Sequence, residues 1–132
     1  MARVRAKNTR PELALRRRLW AAGYRFRLHT RLPGKPDLVF PKYRTVVFVD
    51  GDFWHARALR EGGEAQLRQV IRGPRFGWWR DKLARNLARD DYVTRTLREV
   101  GWNVVRVWES DVLRDPENTV RHVVKALSEE GD

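Results

Sequence analysis

Between Pro11 and Ala22 the apolar residues Leu13, Leu15, Leu19 and Trp20 recur at roughly helical spacing. Thr9 is placed to cap that helix, Pro11 fits its first turn and Gly23 stops it. The period then changes to two. Tyr24, Phe26 and Leu28 alternate with Arg25, Arg27 and His29, which predicts a half-buried strand with a basic outer face. Leu32 to Lys35 contains Pro and Gly and turns the chain. Asp37 then opens the short apolar run Leu38, Val39, Phe40, and after Pro41 to Arg44 a stronger run, Thr45 to Val49, ends at Asp50 and Gly51. Two adjacent strands joined by a tight turn are expected.

Phe53 to Arg75 carries Gly62, Gly63, Gly73 and Pro74 around a modest helical stretch, Glu64 to Ile71, and is expected to be a partly mobile insertion. From Trp78 to Val100 the positions Leu83, Leu87, Val93, Leu97 and Val100 fit one long helix closed by Gly101. Trp102 to Trp108, with β-branched Val104, Val105 and Val107, predicts a strand, and Pro116 to Leu127 a terminal helix. The order α-β-β-β-α-β-α, with a helical crossover before the last strand, predicts an α/β fold: a mixed β-sheet flanked by helices.

A chain of 132 residues suits a single domain over residues 9–132, preceded by a basic arm, residues 1–8, with Arg3, Arg5 and Lys7 and almost nothing to bury. Charge changes the picture most. Twenty-eight Lys and Arg against 17 Asp and Glu leave +11, which suits a polyanion; nucleic acid is the first candidate, although membrane-surface, ribosomal and heparin-binding proteins are also basic. With no Cys, disulfides, thiolate metal sites and a Cys nucleophile are excluded. No apolar run is long enough to span a bilayer and the Arg-rich start lacks the apolar stretch of a signal peptide, so a cytoplasmic protein is expected.

The candidate chemistry lies at the strand ends. Asp37 stands at the mouth of one strand, Asp50 directly follows the next, and Asp52 is two residues on in a Gly-containing turn. If the strands are neighbours, these oxygens converge on one edge of the sheet, where a hard cation such as Mg²⁺ needs only one or two of them plus waters. Spacing alone leaves them equally readable as turn residues, in which Asp is common.

Five blocks stand in register along the chain: Leu32 to Asp37; Val47 to Gly51; Phe53-Trp54-His55; Lys82, Asn86 and Asp90; and Gly101-Trp102 with Val107-Trp108-Glu109. In order and spacing they resemble the very-short-patch-repair (Vsr) mismatch endonucleases over roughly Thr9 to Leu113, nearly the whole chain. That family has the restriction-endonuclease-like fold, a mixed α/β sheet of the kind the periodicity predicts. The resemblance implies that Asp37 is a metal-binding Asp and that the main-chain carbonyl of Val49 is the second protein ligand. It implies that His55 is the active-site His, oriented by Asp90 on the long helix. Glu12 matches a first-helix acid near the site, and Asp50 stands where many relatives have Asp. Two Mg²⁺ ions are expected with it, to neutralise phosphodiester oxygens, lower the pKa of the attacking water and hold the leaving oxygen. His55 would accept or relay a proton near neutral pH, with Asp90 fixing its tautomer.

Aromatics matching Phe53, Trp54 and Trp79 intercalate beside the mismatch in the family, and here they stand among Arg57, Arg80 and Lys82, cations suited to phosphates. Core packing is the reading for Trp20, Trp102 and Trp108, and stays open for Trp54. This chain departs from many relatives in one respect. Where they hold a structural zinc with Cys and His, it has Asp52 and Arg57 at two of the positions and no Cys, so no zinc site of that type is expected. The segment Ala56 to Arg75 must be ordered by other contacts or by DNA.

The expected function is Mg²⁺-dependent nicking of one strand of double-stranded DNA at or near a mismatch, a thymine opposite guanine first, in a bacterial nucleoid. A monomer is expected, with repair proteins as possible partners. A restriction-type or modification-dependent nuclease is the alternative within the same chemistry, and a non-catalytic DNA-binding module the alternative outside it.

Overall fold

The computed structural model describes residues 8–130, so the expected basic arm lies, Asn8 apart, outside the described residues. Helix α1, Arg10–Ala21, starts as its sequence dictates: the Thr9 hydroxyl accepts from the Glu12 amide at 3.4 Å and Pro11 sits in the first turn.

The strand expected at Tyr24 to His29 does not form. Its alternation holds, with Tyr24, Phe26 and Leu28 packed on the core and Arg25, Arg27 and His29 exposed. The ladder, however, is a single bridge between Arg27 and Val39, closed by bonds of 2.8 and 3.0 Å. Its partner strand β1, Leu38–Phe40, has three residues and offers too short an edge for more, and His29 turns the chain away at φ 57°.

The sheet therefore has three described strands. A 3₁₀ turn, Pro41–Tyr43, closed by Arg44 at φ 50°, leads from β1 to the antiparallel strand β2, Thr45–Asp50. Strand β3, Asn103–Trp108, lies parallel to β2 on its other side, in register Val49 to Val107 and Asp50 to Trp108. β2 is buried along its whole length, which is why it reads as an unbroken apolar run.

The crossover from β2 to β3 is helical. Helix α2, Arg57–Val70, is kinked where Gly63 takes φ 65°, ψ −162°. Its second half is the stretch expected at Glu64 to Ile71; its first half is masked in the sequence by the Gly62-Gly63 pair, so the expected mobile insertion is largely helix. Helix α3, Phe76–Glu99, follows the predicted long helix, although Val100 is an exposed cap and not a core position. A short helix α4, Glu109–Arg114, which no periodicity announced, joins β3 to α5, Pro116–Glu130.

The core has two sides divided by the sheet. Leu38, Phe40, Val47, Val49, Val105 and Val107 pack on Leu15 and Leu19 of α1, Val112 of α4, and Val123 and Leu127 of α5. Their neighbours Val39, Val46, Phe48 and Val104 face the other way, onto Leu97 of α3. A separate small core, Ala56, Leu67, Phe76 and Leu83, holds α2 to α3. Trp20 is not a core residue: it is half exposed, edge-on to Phe26 and covered by the Arg25 guanidinium at 3.7 Å. Trp102 and Trp108 are partly buried.

One turn matters for the site. Gly34, at φ 76°, lies so close to α3 and β2 that a Cβ there would come within 2.5 Å of the Val93 side chain and 3.3 Å of the Phe48 ring. No other residue takes that conformation at that approach without strain, and the turn it makes delivers Asp37 to the start of β1.

Candidate active site

Because β1 and β2 are antiparallel, the residue before β1 and the last residue of β2 fall at the same end of the sheet. Asp37 is half-buried there, and its Oδ2 accepts from the Val49 amide at 2.7 Å. The Asp37 carboxylate thus lies against the main chain of Val49, whose carbonyl is the second ligand the family resemblance implies. They are hard oxygen donors, and a cation that retains several waters needs few others. Among the described residues no three His, Cys, Asp or Glu side chains are grouped as a metal site by themselves, so such an ion would rest on one carboxylate, main chain and water.

Asp50, buried at the end of β2, is held by Arg106 of β3, whose Nη1 lies 3.1 Å from both carboxylate oxygens. Burial pushes its pKa up, against the opposing charges of His55 and Arg106. His55 follows in a tight turn: its amide donates to the Gly51 carbonyl at 3.0 Å, and Asn86 of α3 donates to the Trp54 carbonyl at 2.9 Å. The turn sets the imidazole between two acids, with Nδ1 2.6 Å from Asp90 Oδ2 and 3.8 Å from Asp50 Oδ1. A carboxylate can only accept, so Asp90 keeps the proton on Nδ1 and leaves Nε2 as the basic nitrogen. Burial works against the imidazolium, but the Asp90 hydrogen bond and the charges of Asp50 and Asp90 outweigh it and raise the His55 pKa above 6.5.

Glu12 is buried in the first turn of α1, and its Oε1 accepts from the Asn8 amide and from Arg16, both at 3.1 Å. Its charge reaches Glu109, which the sequence reading gave no role. Glu109 directly follows β3 at the end of the sheet where β2 closes with Asp50, and its Oε1 lies over Gly51. Burial and the charges of Asp52, Glu12 and Asp50 raise its pKa. The strand-end rule that picked out Asp50 would have found it. Arg106 was also missed, because an Arg within an apolar strand carries no signal in one sequence.

Arg57 and Asp52, the two residues on which the expectation of no zinc site rested, are bonded to each other. Arg57 Nη1 lies 3.1 Å from Asp52, 3.2 Å from Ser110 and 3.2 Å from Asp111, while Nε meets Glu61 at 3.1 Å. Asp52 also accepts from the Ser110 amide at 3.1 Å and hydroxyl at 2.6 Å. Burial notwithstanding, the Ser110 bonds and Arg57 lower its pKa. An ionic knot ties α2 to α4 here.

Beside His55 stands a group of rings. Phe53 is 5.1 Å from Trp54 and 5.3 Å from Trp79, and Trp79 is 4.9 Å from Trp78, mostly edge to face. Phe53, Trp54 and Trp78 are exposed, and none of the four belongs to the buried clusters. Arg75 covers Trp78, Lys82 is half-buried one turn along α3, and Arg80 reaches Asp81 and Glu64 at 3.1 and 3.2 Å. The site thus joins an acidic edge, a histidine with a fixed tautomer and an exposed aromatic patch.

A family model described as DNA mismatch endonuclease Vsr matches residues 1–61. Among similar proteins, the Type II nicking enzyme V.XorIIP of Xanthomonas oryzae pv. oryzae is 46% identical over 113 residues, covering 85% of this chain and 78% of the relative. The Type II nicking enzyme V.NmeDIP of Neisseria meningitidis serogroup C is 42% identical over 112 residues, 84% of this chain and 72% of its own. The DNA mismatch endonuclease Vsr of Escherichia coli is 34% identical over 110 residues, 83% of this chain and 66% of its own.

Proposed function

The chain belongs to the Vsr family, and from that membership and the geometry around His55 we propose that it is a Mg²⁺-dependent DNA endonuclease that nicks one strand of duplex DNA at or near a mismatch, a thymine opposite guanine first. The observation that carries the catalytic reading is the Asp90–His55 pair at 2.6 Å at the end of β2, since a DNA-binding module has no need of an imidazole with a fixed tautomer. The names of the relatives, nicking enzymes and a mismatch endonuclease, support the reaction and the single-strand cut.

Asp37 and the Val49 carbonyl would hold the metal. Bound there, Mg²⁺ supplies charge to the phosphodiester oxygens and acidifies a water. His55 Nε2 would accept the proton of the attacking water, and Asp90 would stabilise the imidazolium that results. Phe53, Trp54, Trp78 and Trp79 present rings to the base stack, where a mismatched step costs less to open than a paired one. Lys82, Arg75 and Arg80 supply positive charge along the same edge. We place this activity in the bacterial cytoplasm, in a monomer acting on nucleoid DNA.

The test is incubation with end-labelled duplexes, matched or carrying each mismatch, in Mg²⁺ or EDTA. A Mg²⁺-dependent nick in one strand of a mismatched duplex is expected. Equal cutting of both strands of matched DNA would favour a restriction-type nuclease, and binding without cutting a non-catalytic module.

A further inference from the structure

Three elements carry the pieces around His55, and a single side chain touches all of them. Arg106 projects from β3. Its Nη1 lies 3.1 Å from each oxygen of Asp50 on β2, its Nε donates to Thr94 Oγ1 at 2.8 Å, and its Nη2 donates to the Asp90 carbonyl at 3.3 Å, both on α3. Its guanidinium lies 4.0 Å over the Phe48 ring. The plane of the group is therefore fixed on one side by an aromatic face and at its edge by four acceptors. Its side chain is 23% exposed and its donors are already taken by these acceptors, which argues against a surface phosphate contact.

Its placement answers a problem in the site. His55 stands between two carboxylates, and an imidazole free to choose would share its Nδ1 proton between Asp90 at 2.6 Å and Asp50 at 3.8 Å. We propose that Arg106 is the positioning residue of this active site: it occupies Asp50 and pins the turn of α3 that carries Asp90, so His55 is held on Asp90 alone with Nε2 presented toward the scissile phosphate. The inference rests on the reading of His55 as the proton acceptor. A lysine would preserve the charge but could not reach Asp50, Thr94 and the Asp90 carbonyl together, because only the guanidinium has a planar fork of five donors.

The experiment compares the full chain with Arg106→Gln and Arg106→Lys in single-turnover nicking of the best mismatched duplex. Alongside it, proton NMR of ¹⁵N-histidine-labelled protein follows the strongly downfield Nδ1–H signal of His55, assigned with His55→Ala. Both variants are expected to lose about 100-fold in the nicking rate. DNA affinity measured in EDTA should stay within about 3-fold, and the downfield signal should shift upfield or broaden. Arg106→Lys keeps a charge beside Asp50 and so remains measurable where Arg106→Gln does not fold. An unchanged rate and signal in Arg106→Lys would overturn the proposal. So would a weakened affinity with an unchanged rate, which would make Arg106 a phosphate contact. If the wild type nicks no duplex, the endonuclease reading fails, while the NMR signal still decides whether Arg106 sets the ring.

Discussion

Replacing Arg57 by Ala would test how the helical crossover is ordered where no zinc is expected. The guanidinium meets Asp52, Asp111, Ser110 and Glu61 at 3.1–3.2 Å and lies 5.3 Å over the Trp108 ring. The side chains of Asp52 and Asp111 are 34% and 31% exposed and that of Glu61 46%, so screening holds each ion pair to a few tenths of a kcal/mol. The ring contact adds about 0.5 kcal/mol. Deletion also leaves Asp52 and Glu61 without a cation, while Asp111 keeps Arg114 at 2.7 Å, and the total comes to about 2 kcal/mol. For a domain of this size that corresponds to a fall in Tm of about 6–10 °C. The assay is thermal melting by circular dichroism at low salt and again near 1 M NaCl, where screening acts within about 3 Å and the difference should fall to about half. In Mg²⁺-free buffer the wild-type Tm should not respond to EDTA. A Tm for Arg57→Ala within about 2 °C of wild type, or a wild-type Tm lowered by EDTA, would refute the reasoning.

Three further outcomes follow from the site. Against its burial, the Asp90 hydrogen bond and the charges of Asp50 and Asp90 raise the His55 pKa from its ordinary 6.5, and with the neutral ring as the proposed proton acceptor, nicking should rise with pH through a midpoint above that value. Asp90→Asn removes the charge that favours the imidazolium and should move the midpoint down; a rate profile that ignores the substitution would separate the two residues. The stability carried by the charged His55 is fully present below 6.5 and lost as pH rises through the raised value, so Asp90→Asn should lower Tm more at pH 6 than at pH 9. Trp79→Ala should cut nicking of mismatched duplex at least about 10-fold while costing about 1 kcal/mol, since this partly buried ring packs on the exposed rings of Phe53 and Trp78. A loss of 3–5 kcal/mol, as for a buried Trp, would return it to the core.

Much of the fold was legible because burial on both faces writes itself into composition: Thr45 to Val49 could hardly be anything but a central strand, and Leu83 to Leu97 keeps helical spacing over several turns. Tyr24 to His29 shows the limit. Its alternation records correctly which side chains face the core, but pairing depends on the length of the partner edge, and three residues of β1 were too few. In α2 the glycines hid a helix whose stability comes from Leu67 on Phe76 and Leu83, contacts distant in sequence. The site divides in the same way. Asp37, Asp50, His55 and Asp90 could be picked out by strand ends and by the family resemblance, and the fold brings them to one edge. The bonds of Arg106 to Asp50 and of Arg57 to Ser110 and Asp111 join residues 53 to 56 positions apart, and no local pattern carries such pairings.

The central claim, a metal-dependent nick organised by Asp37, is tested most directly by following wild type and Asp37→Ala on the same mismatched, end-labelled duplex under single-turnover conditions in Mg²⁺ and in EDTA. Wild type should nick one strand in Mg²⁺ and neither in EDTA, while Asp37→Ala binds the duplex in EDTA with near wild-type affinity and loses several orders of magnitude in rate with Mg²⁺. Nicking by Asp37→Ala at the wild-type rate, or by wild type in EDTA, would contradict it.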